Sequence, residues 1–114
     1  MSIRSADTMW AQMMAGEWSI VRREDGRLTF RRERRPSRPL SAREQEVAKL
    51  AAIGFGNPEI GADLDMSPST VGVHLKSIRT KLGLDNRMEL VRVLRMVSMH
   101  DGCLLNKRLL LRAA

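Results

Sequence analysis

The 114-residue sequence predicts a mainly α-helical chain: a compact group of four helices preceded by a short N-terminal helix and a β-hairpin. Three observations predict it. Four stretches after Pro39 carry helix start and stop residues around apolar periodicity. The run "RRERRPSRP", Arg31 to Pro39, is charged and holds two prolines, so it cannot be regular helix and marks a boundary. Ahead of it, two β-prone runs flank Asp25-Gly26, a hairpin turn pair. These divide the chain into an arm and basic linker at 1–39, a helical domain at 40–100 and a tail at 101–114.

The first helix of the domain starts at Ser41. Ser41-Ala42-Arg43-Glu44 reads as a capping box, with Ser as N-cap and Glu three residues on. Val47, Leu50 and Ala51 form its apolar face, and Gly54 stops it. The second starts at Asn57 with Pro58 in its first turn, turns Ile60 and Leu64 inward, and ends near Asp65. The third runs from Ser67, again followed by proline, to Leu82-Gly83. The fourth starts at Asn86, with Glu89 suggesting a second box, and runs to about His100. Helices two and three meet over the short turn "LDM", a helix-turn-helix pattern, and Gly61 provides the small residue that a close crossing needs.

The third helix, "STVGVHLKSIRTKL", carries the functional question. At about 100° per residue, Val71, Leu75, Ile78 and Leu82 share one stripe, with His74 at its edge. Ser69, Val73, Lys76 and Thr80 lie opposite, flanked by Gly72, Ser77 and Arg79. A lysine and a valine between hydroxyls suit a major groove: lysine donates to guanine edges and a valine methyl meets a thymine methyl. Hydroxyls and a helix N-terminus hold phosphates. The same composition also describes an ordinary solvated face with one exposed valine.

Charge points the same way. Lys and Arg total 20 against 13 acids, a net +7 that favours a polyanion partner. The excess is spread over both parts, +4 up to Pro39 and +3 beyond. No apolar run approaches the roughly 18 residues of a membrane span, and the polar N-terminus lacks a signal peptide's apolar core. The lone Cys103 allows no internal disulfide, which fits a reducing cytoplasm. His74 and His100 fall on different helices and there is no glycine-rich phosphate loop. We therefore expect no enzyme, cofactor or metal site.

Leu40 to Val91 resembles the LuxR/FixJ-type (GerE-like) DNA-binding domain of bacterial transcriptional regulators. The family pattern Leu-Thr/Ser-x-Arg-Glu-x-Glu-Val is met by Leu40, Ser41, Arg43, Glu44, Glu46 and Val47. Gly-x-x-Asn-x-Glu-Ile is met by Gly54, Asn57, Glu59 and Ile60. Ser-x-x-Thr-Val-x-x-His is met by Ser67, Thr70, Val71 and His74, and the closing motifs by Ile78, Lys81, Leu82, Asn86 and Arg87. The resemblance implies that the third helix enters the major groove and that the fourth forms a dimer contact. Val73 and Lys76 would then touch bases. Ser69, Thr70, His74 and Lys81 would lie at or near phosphates, and Asn57, Arg79 and Thr80 complete the candidate DNA-binding set.

Helix four carries an apolar arc too wide for one neighbour, built from Met88, Leu90, Val91, Val93, Leu94, Met96, Val97 and Met99. One side should pack on the other helices, and the other on a second subunit or on the N-terminal piece. Leu90, Val93, Leu94 and Val97 are the candidate homodimer residues, and the leucines of "CLLNKRLLLRAA" could extend either contact. The arm, with Arg22, Arg23, Arg27, Arg31, Arg32, Arg34, Arg35 and Arg38, reads equally as a DNA-backbone arm or as a solvated linker. Thirty-nine residues are too few for the receiver or ligand-sensing domain that usually precedes this unit, so no phosphoacceptor or small-molecule ligand is expected. Two functions stay open. One is a DNA-binding regulator acting as a homodimer. The other is a co-regulator that binds another transcription factor or RNA polymerase.

The departure from the family pattern is Gly72, where a lysine or another polar residue is usual. Glycine inside a helix costs about 1 kcal/mol relative to alanine. Direct readout could be reduced, with phosphate contacts carrying affinity. The missing side chain could admit a close approach. Or the surface could serve protein binding. The first explanation predicts that Gly72→Lys tightens DNA binding and steepens its salt dependence in mobility-shift titrations; unchanged or abolished binding removes it.

Overall fold

A computed structural model describes residues 8–34 and 38–101. Arg35 and the tail with Cys103 and its leucines lie outside the described residues. The elements are α1 (Met9–Met14), β1 (Trp18–Arg22), β2 (Leu28–Arg32), α2 (Ala42–Ala52), α3 (Asn57–Leu64), α4 (Pro68–Leu82) and α5 (Arg87–His100).

Local chemistry sets the helix ends. The Ser41 hydroxyl accepts from Glu44 N at 3.1 Å and a Glu44 carboxylate oxygen accepts from Ser41 N at 2.8 Å, the expected box. Gly54, at φ +94°, follows the last turn in a left-handed conformation that an L side chain resists. The start of α3 differs from expectation: Gly56, not Asn57, is the N-cap, its N–H held by Glu59 at 3.0 Å. Asn57 therefore sits in the first turn with its side chain free for a tertiary role. Asp65 ends α3 in a left-handed conformation. A Cβ on Gly61 would lie 2.3 Å from the Met66 carbonyl oxygen, so only glycine admits this crossing of α3 and α4. Asn86 caps α5 through Glu89 N, but the second box does not close. The Glu89 carboxylate turns instead to Asp85 N at 3.0 Å and to Arg22 at 2.6 Å.

The core is one cluster. Val47, Ala48 and Ala51 from α2, Ile60 from α3, and Val71, Leu75, Ile78 and Leu82 from α4 meet the inner face of α5. That face includes all four candidate dimer residues. Leu90, Val93, Leu94 and Val97 are only 0–1 % exposed within the single chain, which corrects their expected place at a subunit contact. The reason lies in the N-terminal piece, which takes the second side of the apolar arc. Met13 and Met14 of α1 are buried in the same cluster. Asp101, just past α5, accepts from Met9 N and Trp10 N at 2.9 Å each and so caps α1 from the far end of the chain. The large apolar side chains that α5 leaves exposed are Met88, Met96 and Met99, at 80, 48 and 64 %.

The hairpin is antiparallel, with Trp18 opposite Arg32 and Ile20 opposite Phe30. Its inner residues Ile20, Leu28 and Phe30 lean on the core, which a lone hairpin needs for stability. Several arm arginines are charge-compensated within the chain. Arg22 meets Asp85 at 2.9 Å and Glu89, and Arg31 reaches Glu33 at 3.4 Å. Arg32 meets Glu17 at 2.9 Å and lies 5.2 Å from the centre of the Trp18 ring. An open apolar groove of about 600 Å³ runs between α1, the hairpin and α5, lined by Met9, Trp18, Phe30, Met96 and Met99 among others. Its polar side chains are engaged locally: Gln12 accepts from Trp18 Nε1, and Asp101 caps α1.

Because Met13 is fully buried, the N-terminal helix belongs to the core rather than to a loose arm. Met13→Ala should lower unfolding stability by about 2–4 kcal/mol in urea denaturation. A change near zero would mean that the arm is detached.

Candidate nucleic-acid interface

The interface is built on α4, whose back is buried as its periodicity requires: Val71, Leu75, Ile78 and Leu82 all point into the core. Its other side faces solvent. Val73 is 68 % exposed, and Ser69, Thr70, Lys76 and Thr80 are exposed around it. Hydrogen bonds sort these residues. Thr70 is engaged in the N-cap, its hydroxyl 2.9 Å from Ser67 Oγ. Thr80 donates back to the Lys76 carbonyl at 2.9 Å. Ser69, Val73 and Lys76 have no side-chain hydrogen bond or ion pair among the described residues. They form an unengaged outward row at the helix's exposed centre. His74 is half-buried at the stripe edge.

The flank facing α2 is held by one carboxylate. Glu44 is 4 % exposed. One of its oxygens takes Ser41 N at 2.8 Å and Lys81 Nζ at 2.7 Å; the other takes the Ser77 hydroxyl. A cap residue of α2 thus grips the C-terminal half of α4. Burial would push this carboxyl up. Hydrogen bonds from Lys81, Ser77 and Ser41, together with the Lys81 charge, outweigh burial and bring it from an ordinary 4.5 down to about 2. Lys81 accordingly faces inward, 26 % exposed and also 3.4 Å from the Pro39 carbonyl, instead of reaching freely for a phosphate.

Along the opposite flank, beside Gly72, α5 is tied to α3 and the turn ahead of it. Arg87 donates to Asn57 Oδ1 and, at 2.7 Å, to the Phe55 carbonyl. Arg79 donates to the Asp85 carbonyl at 3.1 Å, so its head lies toward the α4–α5 turn. Gly72 lies on this flank. A Cβ there would have Asn57 Nδ2 as its nearest neighbour, at 3.5 Å, an ordinary contact. Packing within the chain does not require glycine at this position. Sequence reasoning missed two positioning residues, Glu44 and Arg87. Both were visible as motif members, but their partners lie 33 to 37 and 30 to 32 residues away.

Among the described residues no group of His, Cys, Asp or Glu is arranged to hold a metal ion, and no helix is long and apolar enough to cross a membrane. The Glu44 grip carries a pH signature. A carboxyl depressed in the folded state stabilises above its unfolded value and loses that contribution as pH falls. Glu44→Gln should therefore cost about 3 kcal/mol at neutral pH. The stability gap to wild type should close as pH drops from 4.5 toward 2. Chemical denaturation at stepped pH measures it, and a gap independent of pH would contradict the grip.

Known proteins bear on this geometry. The family model for bacterial regulatory proteins of the luxR family matches residues 38–94. The transcriptional regulatory protein UhpA of Escherichia coli is 46 % identical over 54 residues, which are 47 % of this chain and 28 % of that protein. The oxygen regulatory protein NreC of Staphylococcus aureus is 48 % identical over 56 residues, 49 % of this chain and 26 % of that protein. The chain thus spans about a quarter of the length of these relatives. No solved structure gives a significant match. A matched region that starts ahead of the Ser41 box and runs through the clamped α4 into α5 places this chain in the LuxR family of bacterial regulatory proteins, with their DNA-binding helix-turn-helix domain.

Proposed function

We propose that the chain is a transcriptional regulator that inserts α4 into the major groove of double-stranded DNA and works in the cytoplasm as a homodimer. The observation that carries this reading is the row Ser69, Val73 and Lys76, exposed and unengaged, on a helix anchored from behind by its core stripe and along the α2 flank by Glu44. A rigid helix with free donors on its outer face is what base-edge readout requires. The net +7 charge supports long-range attraction to the duplex.

A homodimer in this fold would not use Leu90, Val93, Leu94 and Val97, which the chain's own core covers. Its contact would fall on the exposed methionines of α5. Two such subunits would set their recognition helices about one DNA turn apart on dyad-related half-sites. The same methionines and the apolar groove beside them favour a second reading, a co-regulator that binds another transcription factor or RNA polymerase and touches DNA weakly.

Mobility-shift titration against genomic fragments at two salt concentrations separates the two. The DNA reading predicts a retained subset of fragments, weaker binding at higher salt, and about a tenfold or larger loss for Lys76→Ala. No fragment preference, with Lys76→Ala binding like wild type, would favour the co-regulator.

A further inference from the structure

Gly72 and Asn57 together form a feature that the outward row does not include. Arg87 has donors only, so the Asn57 atom facing it must be the carbonyl oxygen, and the amide nitrogen must face the other way. That nitrogen is the nearest neighbour of a Cβ built on Gly72, 3.5 Å away. It makes no hydrogen bond among the described residues. Arg87 is itself held by the Phe55 carbonyl at 2.7 Å, so the amide is oriented by a fixed group. On α4, Gly72 lies on the same side as Ser69, one turn before it, and Lys76, one turn after it. A side chain at position 72 would cover the amide; glycine leaves it open toward that side.

We propose that Asn57 is a specificity-determining residue: its amide nitrogen, exposed by Gly72 and oriented by Arg87, donates to a base-edge acceptor in the major groove. This rests on the DNA-binding reading above. The donor belongs to α3 and passes α4 at Gly72, which has no side chain to cover it. Because Asn57 Oδ1 is engaged by Arg87, the residue cannot make the two-pronged contact that selects adenine. A lone donor can donate to purine N7, guanine O6 or thymine O4. It rejects cytosine, which presents only a donor in that groove. The expected signature is one position in the site where three bases are tolerated and cytosine is excluded.

The test is selection from a randomised duplex library, followed by titration of the enriched sites. Wild type should exclude cytosine at one position. Asn57→Ala should tolerate all four bases there, leave other positions unchanged, and bind the best site roughly fivefold more weakly. Gly72→Leu should give the same relaxation by covering the amide while leaving Asn57 and Arg87 in place. It also keeps the proposal testable if Asn57→Ala unfolds, since leucine favours helix over glycine. If Lys76→Ala destroys the wild-type motif while Asn57→Ala and Gly72→Leu leave every position intact, the Asn57 inference fails alone. If wild type enriches no sequence, the DNA reading fails and the inference falls with it.

Discussion

The buried carboxylate of Glu44 is the constraint on which the recognition surface depends. Its three hydrogen bonds all come from donors that the fold must bring together: the N-cap N–H of its own helix, a hydroxyl and a lysine of α4. A carboxylate out of water is tolerable only when it is hydrogen-bonded and paired. Here both conditions hold, and no described side-chain polar atom is left buried without a partner. The result is a helix whose rotation about its own axis is fixed. Were α4 to roll, Ser77 and Lys81 would leave the carboxylate, and the Val71–Leu82 stripe would leave the core. On the other flank Arg87 ties α5 to α3 through Asn57, and Arg79 of α4 reaches the Asp85 carbonyl in the turn after it. With its stripe buried and Glu44 holding its α2 flank, α4 gives the row Ser69, Val73 and Lys76 a set direction.

The same economy shapes the rest of the chain. The wide apolar arc of α5 is covered on one side by α2 and α4 and on the other by α1. Asp101 closes this arrangement by accepting the first two N–H groups of α1, beside the Thr8 cap, from beyond the far end of α5. Arg22 ties the hairpin to the turn before α5 through Asp85 and Glu89. The N-terminal piece is thus joined to the domain by core burial and by charge, and Arg22, which makes the charged tie, is drawn away from a free basic arm. The apolar side chains that remain uncovered on α5 are methionines, which adapt to irregular partners.

Much of this was legible in the residues. Capping residues and glycines placed α2, α4 and α5, because N-caps and left-handed C-caps are local chemistry. The buried stripe of α4 followed from its period alone. Gly61 signalled a close crossing, and the Met66 carbonyl fills that space. The illegible part was tertiary. Asn57 looked like an N-cap, but Gly56 takes that place because Glu59 reaches its N–H. Glu89 looked like a box residue, but Arg22 outcompetes the closing bond. Leu90, Val93, Leu94 and Val97 fit a subunit contact as well as a core, and only the position of α1 decides between them. Lys81 looked available to phosphate because its partner is 37 residues away.

The central claim is that a helix held by its buried stripe and by Glu44 presents its Ser69–Val73–Lys76 side to a DNA duplex. Amide chemical-shift mapping by NMR during titration with an enriched duplex tests it most directly. The account predicts that the largest changes cluster at Ser69, Val73 and Lys76, while Leu75, Ile78 and Leu82 barely move. Changes confined to Met88, Met96 and Met99, with α4 silent, would contradict it.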